Sequence, residues 1–405
     1  LKAVAKVRNK FLSGGILFLS SLMSAAQVSQ QNSNPSLLQD AAQAITAGEL
    51  SRAEGDLQSV LRTAPDDYRA LDLLGVVRVL QRRETGAEKF FRRAIQKKPD
   101  FAPAHAHLGL LYVQMGRPED AVPQLREAVR LDPARSDASG ALVRIFQDQA
   151  RAASATGDSE KALAFLMDAR QYSPDDPDVN SELGTIALQM SLWQDAVEAF
   201  ERTLKMREDD PLALYNLGRA FTGLSQFAEA RQPFARYVGV RPDDASGHCA
   251  LGMTLAALEH VAEARKEFER SIALAPAQTE SYFRLGLIDL DAKDLDEAAT
   301  NLHQVLAREP KHAGALSALG RVAFEQKRYP EAIDRLQQAI ASDESLREAH
   351  YYLGLTFARV GRKEEAEAQL QIATRLGHDE AERRRTLFRI QDGAVIGPLS
   401  SQPQN

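Results

Sequence analysis

The chain has 405 residues, 44% of them hydrophobic and 26% charged, which excludes a disordered polymer and leaves an ordinary folded protein. Residues 1–26 hold four bases (Lys2, Lys6, Arg8, Lys10) and no acid, so the formal charge of −6 conceals a body near −10, which argues against nucleic acid as the main partner. A single cysteine, Cys249, excludes an internal disulfide, and helix formers dominate over aromatic residues (6%), which excludes a strand-rich fold.

In chain order, the basic start is followed by an apolar run from Phe11 to Met23, shorter than the about 20 residues that span a bilayer. Ser24-Ala25-Ala26 and a polar stretch come next, so residues 1–26 read as a signal peptide cleaved after Ala26, with an uncleaved anchor as the alternative. Cleavage predicts an exported protein without stable membrane insertion. The cysteine-poor, Ala- and Arg-rich composition points to a bacterial periplasm or secretion. Residues 27–33 form a short linker.

From residue 34 a pattern repeats about every 34 residues. Leu74-Gly75, Leu108-Gly109, Leu183-Gly184, Leu217-Gly218, Leu251-Gly252, Leu285-Gly286, Leu319-Gly320 and Leu353-Gly354 each precede a small residue by 13 and 12 positions. A large residue follows that small one by four: Phe91, Leu125, Phe200, Phe234, Phe268, Leu302, Leu336 or Leu370. In most copies a proline lies 12 positions after the small residue, as in Ala87 and Pro99. Counting from the start of a repeat, the Leu at position 7 and the large residue at 24 are knobs on two facing helices. Gly at 8 and Ala at 20 let the backbones approach. The proline at 32 ends the second helix, and position 15 (Gly48, Gly116, Gly157, Gly361) closes the first.

Repeats begin at about 34, 68, 102, 143, 177, 211, 245, 279, 313 and 347. The first lacks the Leu-Gly pair, and Glu208 and Glu344 replace two of the prolines. The fourth, spanning 136–176, is about seven residues longer. Seven residues are close to two helical turns, so the buried face keeps its phase and the spacing predicts one extended first helix with Leu142, Ile145, Phe146 and Ala150 on its apolar stripe. Pro123 and Pro233 fall inside second helices, where a tightened or bent first turn is expected. Ala381 to Gln391 reads as a capping helix over the last repeat, and 392–405 as a flexible tail.

These residues are the tetratricopeptide-repeat signature, and residues 34–380 closely resemble that family. The resemblance implies an all-α, right-handed superhelical solenoid of about ten antiparallel helix pairs. In that family the first helices line a concave surface through positions 2, 5, 9, 12 and 13. Carried onto this chain, with two further residues at position 6, these positions nominate Tyr215, Asn216, Arg219, Met253, Phe283, Arg284, Leu287, Arg321, Phe324, Tyr351 and Arg359 as partner-binding residues. Aromatic side chains interspersed with Arg are interface chemistry. Repeats two to five offer Asp72, Val76, Leu110, Gln114, Ser181 and Gln189, a less pointed set. The Lys and Asn clamp by which some family members hold a carboxylate is incomplete here, with Asn216 and Arg284 its nearest approach.

No phosphate loop, metal motif or catalytic constellation is present, and no metal or cofactor is expected. His105 and His107, two apart on a helix, are expected at the surface. Cys249 is expected to be a packed structural thiol, and Arg383–Arg385 a solvated face. The function expected is a non-enzymatic scaffold that binds proteins or peptides, in cell-envelope assembly. A polysaccharide-binding scaffold of an export system and the repeat half of a larger transferase are the alternatives.

Overall fold

The computed structural model describes residues 35–394, which are all-helical with no strand among them. The signal segment, the linker and residues 395–405 lie outside the described residues. The helices fall into two lobes, one up to Asn216 and one from Leu217. The first lobe holds α1 (Pro35–Thr46), α2 (Leu50–Thr63), α3 (Tyr68–Leu80), α4 (Glu84–Lys97), α5 (Ala102–Gln114), α6 (Pro118–Leu131), α7 (Ser136–Ala155), α8 (Ser159–Tyr172), α9 (Pro177–Gln189) and α10 (Trp193–Met206). The lobe boundary falls within α11 (Pro211–Gly223). The second lobe continues with α12 (Phe227–Val240), α13 (Ala245–Ala257), α14 (Val261–Leu274), α15 (Thr279–Ala292), α16 (Leu295–Arg308), α17 (Ala313–Glu325), α18 (Tyr329–Ser342), α19 (Arg347–Arg359) and α20 (Lys363–Ala394). Odd helices are the first, and even helices the second, of ten repeats.

Position 15 sets the turn inside each repeat. Its residue is left-handed in all ten, with φ between 70° and 83° at Gly48, Gly116, Gly157 and Gly361. The equivalent Arg82, Ser191, Ser225, Glu259, Lys293 and Lys327 take φ between 59° and 68°, although a side chain is costly there. The following N–H then bonds back to the last helical turn, as from Glu49 to the Ala44 carbonyl at 2.8 Å, which satisfies an otherwise orphaned acceptor. Asp67, Asp176 and Asp244 cap the first helices that follow them.

Within a repeat the helices run antiparallel, because position 1 meets position 27 (the Ser271 hydroxyl donates to the Ala245 carbonyl, 2.8 Å) while position 8 meets position 24. The Leu-Gly pair explains the closeness. A Cβ added at Gly75, Gly184 or Gly252 would lie 2.4–2.8 Å from the ring of Phe91, Phe200 or Phe268, and those rings are fully buried. The fourth repeat begins with one continuous helix of 20 residues, as its spacing predicts, with Leu142, Ile145, Phe146 and Ala150 all buried. The helices α6 and α12 run through Pro123 and Pro233.

Two expectations are corrected. His105 and His107 are buried, at 7% and 0% exposure. His105 bridges the Pro99 carbonyl and the Gln124 side chain, each at 2.9 Å, and His107 meets the buried Asp72 at 2.8 Å. Polar partners on neighbouring elements replace the water each ring loses. The separate capping helix over 381–391 is instead the distal part of α20, which runs unbroken for 32 residues from the last repeat and includes the first three residues assigned to the tail.

Candidate functional site

First-helix positions are split between repeat junctions and solvent. In the second lobe, Phe283 is half-buried, its ring centre 4.8 Å from that of His312 and its edge where a Cβ on Gly314 would lie. Leu287 packs against the core around Leu290 and Leu319. Phe324 lies 6.1 Å from Tyr329 and 5.8 Å from Tyr352, between ring centres. Arg321 is held by Asp291 at 3.0 Å and Glu348 at 3.5 Å, one from each flanking repeat, and lies over the Tyr352 ring. Arg284 pairs with Glu280 on its own helix at 2.7 Å. Apart from Arg284, these side chains meet groups of a neighbouring repeat. Met253, Tyr351, Arg359 and Arg219 are exposed, Tyr351 resting edge-on against Tyr352. In the first lobe Tyr215 is half-buried and Asn216 buried.

The first lobe also contains a groove of about 450 Å3 that the sequence pointed to only weakly. It lies among α7, α9 and the start of α11. The long α7 presents Ala150, Ser154 and Ala155 there, and their small side chains leave the depression. Leu166 and Ile186, buried, line it together with Leu212, which is 54% exposed. Ser181, Thr185 and Gln189 supply polar groups, and Arg151 pairs with Glu182 at 2.7 Å. The hydrogen bond and charge of Glu182 raise the Arg151 pKa above its ordinary value, so the guanidinium stays charged. Apolar lining with a few polar groups suits an extended chain: side chains find apolar contact and its backbone finds donors and acceptors. Ser181 and Gln189 belong to the less pointed set that the resemblance offers in repeats two to five; Ala150, Ser154, Ile186 and Leu212 belong to neither set. The run of small residues in the stretched fourth repeat is the signal that could have found Ala150 and Ser154; Ile186 and Leu212 lie in the next two repeats.

Cys249 is buried, as expected, and burial pushes its thiol pKa up despite a hydrogen bond with Ser281. Among the described residues no cluster of three His, Cys, Asp or Glu could hold a metal ion, and no helix is long and apolar enough to cross a membrane.

Comparison with known proteins places these features. The profile of the cilia and flagella-associated protein 70 C-terminal domain matches residues 23–281, more than half of the chain. The cytochrome c-type biogenesis protein H TPR domain matches 237–345, and the tetratricopeptide repeat matches 329–381. The type IV pilus assembly protein PilF of Pseudomonas aeruginosa is 30% identical over 135 residues, covering 26% of this chain and 54% of that protein. The cellulose synthase 2 operon protein C of Komagataeibacter xylinus is 30% identical over 141 residues, 35% of this chain and 10% of that protein. The chain thus spans about half the length of the first relative and a tenth of the second. Among solved structures, MamA of Desulfovibrio magneticus RS-1 aligns at 21% identity and a TM-score of 0.41, over 42% of this chain and 97% of its own. The Cut9–Hcn1 hetero-tetramer structure aligns at 12% and 0.47, over 86% and 95%. With the repeat signature, its recurrence in eight of ten helix pairs and the profile matches in agreement, the chain belongs to the tetratricopeptide-repeat family.

Proposed function

We propose that the chain is a non-enzymatic scaffold that binds extended peptide or protein segments of partner proteins during assembly of cell-envelope machinery. The groove among α7, α9 and α11 carries this reading, because it combines apolar lining with polar side chains on adjacent first helices. Within the second lobe, Met253, Tyr351 and Arg359 offer exposed contacts of their own. The signal-like start and the relatives named for pilus assembly and a cellulose synthase operon support the envelope setting and export. The test is a peptide library selected on the whole protein. Enriched peptides should lose about tenfold or more in affinity when Ser154→Trp fills the groove. Failure to enrich any peptide, or equal binding by the variant, refutes the assignment.

A second reading is saccharide recognition, favoured by the cellulose synthase operon relative and by the exposed Tyr351 ring. Glucan binding that survives Tyr351→Ala removes it.

A further inference from the structure

The second helix of the last repeat carries a face unlike those before it. At position 21 of three earlier second helices, a polar side chain reaches across to the next repeat: Glu54 to Arg78 at 2.6 Å, Glu88 to Tyr112 at 2.9 Å and Arg265 to Asp289 at 2.5 Å. In α20 this position is Glu367, which is exposed. Beside it the half-buried Leu370 and the exposed Thr374 line an open groove of about 820 Å3.

Along that groove every fourth residue follows a palindromic order of charge. Lys363, Glu367, Gln371, Arg375 and Asp379 all line it and are all exposed. Reading outward from Gln371, each acid on one side matches a base at equal distance on the other. An antiparallel copy of the helix crossing at Gln371 therefore sets Glu367 against Arg375 of the second copy, and Lys363 against its Asp379, each pair occurring twice.

The order is not one that stabilises an isolated helix. Each base precedes its acid by four residues, the less favourable direction. Among the described residues, Lys363 and Glu367 form no ion pair with each other, nor do Arg375 and Asp379. What closes nearby is Arg362 with Glu365, and the Gln371 amide with Glu367 at 3.4 Å. A solvated end needs charge but no order, and an unrelated partner needs no symmetry. A self-complementary order suits an isologous contact, in which residue i meets j and j meets i.

We infer that the chain self-associates through α20, two copies packing antiparallel about a two-fold axis at Gln371. The flank of Leu370 left uncovered by its packing on Gly354 is covered by the other copy, and four charge pairs fix the register. Glu367 then finds across the interface the kind of partner that Glu54 finds within the chain.

Sedimentation of the whole protein over a concentration series centred on the micromolar range tests this. A reversible monomer–dimer equilibrium that weakens with salt is expected. Glu367→Arg and Arg375→Glu should each raise the dissociation constant about tenfold or more, with helix content unchanged because both sites are exposed. Mixing the two variants should restore a dimer, since every contact then pairs opposite charges, and so should the double variant alone. A wild type that stays monomeric, a dimer indifferent to either reversal, or no recovery on mixing would overturn the inference.

Discussion

At the scale of single residues, the contact between position 8 and position 24 bears most of the close packing within a repeat. Gly252 faces Phe268 so tightly that a methyl group would stand 2.8 Å from the ring. Gly252→Ala should destabilise the protein by about 1–3 kcal/mol, read from denaturant unfolding. Adding Phe268→Leu should recover part of that loss. The first and fourth repeats show why: they carry Ala41 and Ala150 at position 8 and Leu57 and Leu166 at position 24, all buried. Position 15 offers the opposite sign. Lys327 is exposed and left-handed at φ 60°, so Lys327→Gly should raise stability by about 0.5–1 kcal/mol, visible as a higher melting temperature. Cys249, buried and with its pKa raised, should react with iodoacetamide slowly in the native protein and rapidly after unfolding.

At the scale of elements, helices of neighbouring repeats are joined by polar contacts whose worth depends on burial. Asp289 on α15 is 1% exposed and is held by Arg265 of α14 at 2.5 Å and by Asn301 of α16 at 2.8 Å. Removing Arg265 leaves that carboxylate buried with one partner, so Arg265→Ala should cost about 3 kcal/mol in unfolding free energy. Breaking the exposed pair Arg52–Glu49 should leave the unfolding midpoint unchanged, because water and salt already screen it. Carboxylates at other junctions set the response to acid. Hydrogen bonds from Gln81 and Arg78 lower the pKa of Glu54. Burial alone would raise Asp137, but the hydrogen bond and charge of Arg135 outweigh it and leave the group lowered. Both groups therefore contribute fully above the ordinary carboxylate range, and the contribution is lost as pH falls below about 4. Melting temperature should drop on acidification through that range, and Asp137→Asn should give a lower but flatter profile.

At the scale of the whole molecule, each helix pair leans on its neighbours, and a local lesion should stay local. Gly252→Ala should speed amide exchange in the sixth to eighth repeats and leave the first three unchanged, whereas uniform acceleration would mean that the chain unfolds as a single unit. The 34-residue period made the helix pairs legible, because a small residue at 8, a large one at 24 and a breaker at 32 each serve a contact between residues near in sequence. The start of α3, α5, α9, α11, α13, α15, α17 and α19 follows from that period alone. What the period does not carry is the fate of a first-helix side chain, since that depends on the residue facing it from the next repeat.

Phe283 shows this: it is drawn into the junction because Gly314 leaves room for it, whereas Tyr351 stays 45% exposed. His105 and His107 resemble surface residues until the Pro99 carbonyl, Gln124 and Asp72 are brought to them by packing. The charge order of α20 was present in the chain from the start, but its exposure along one groove was not. Sequence by itself determined the repeat, its helices and their turns, because local spacing suffices for those. Tertiary structure alone decided which polar and aromatic groups hold the repeats together and which remain free to bind, because burial depends on neighbours that spacing does not reveal.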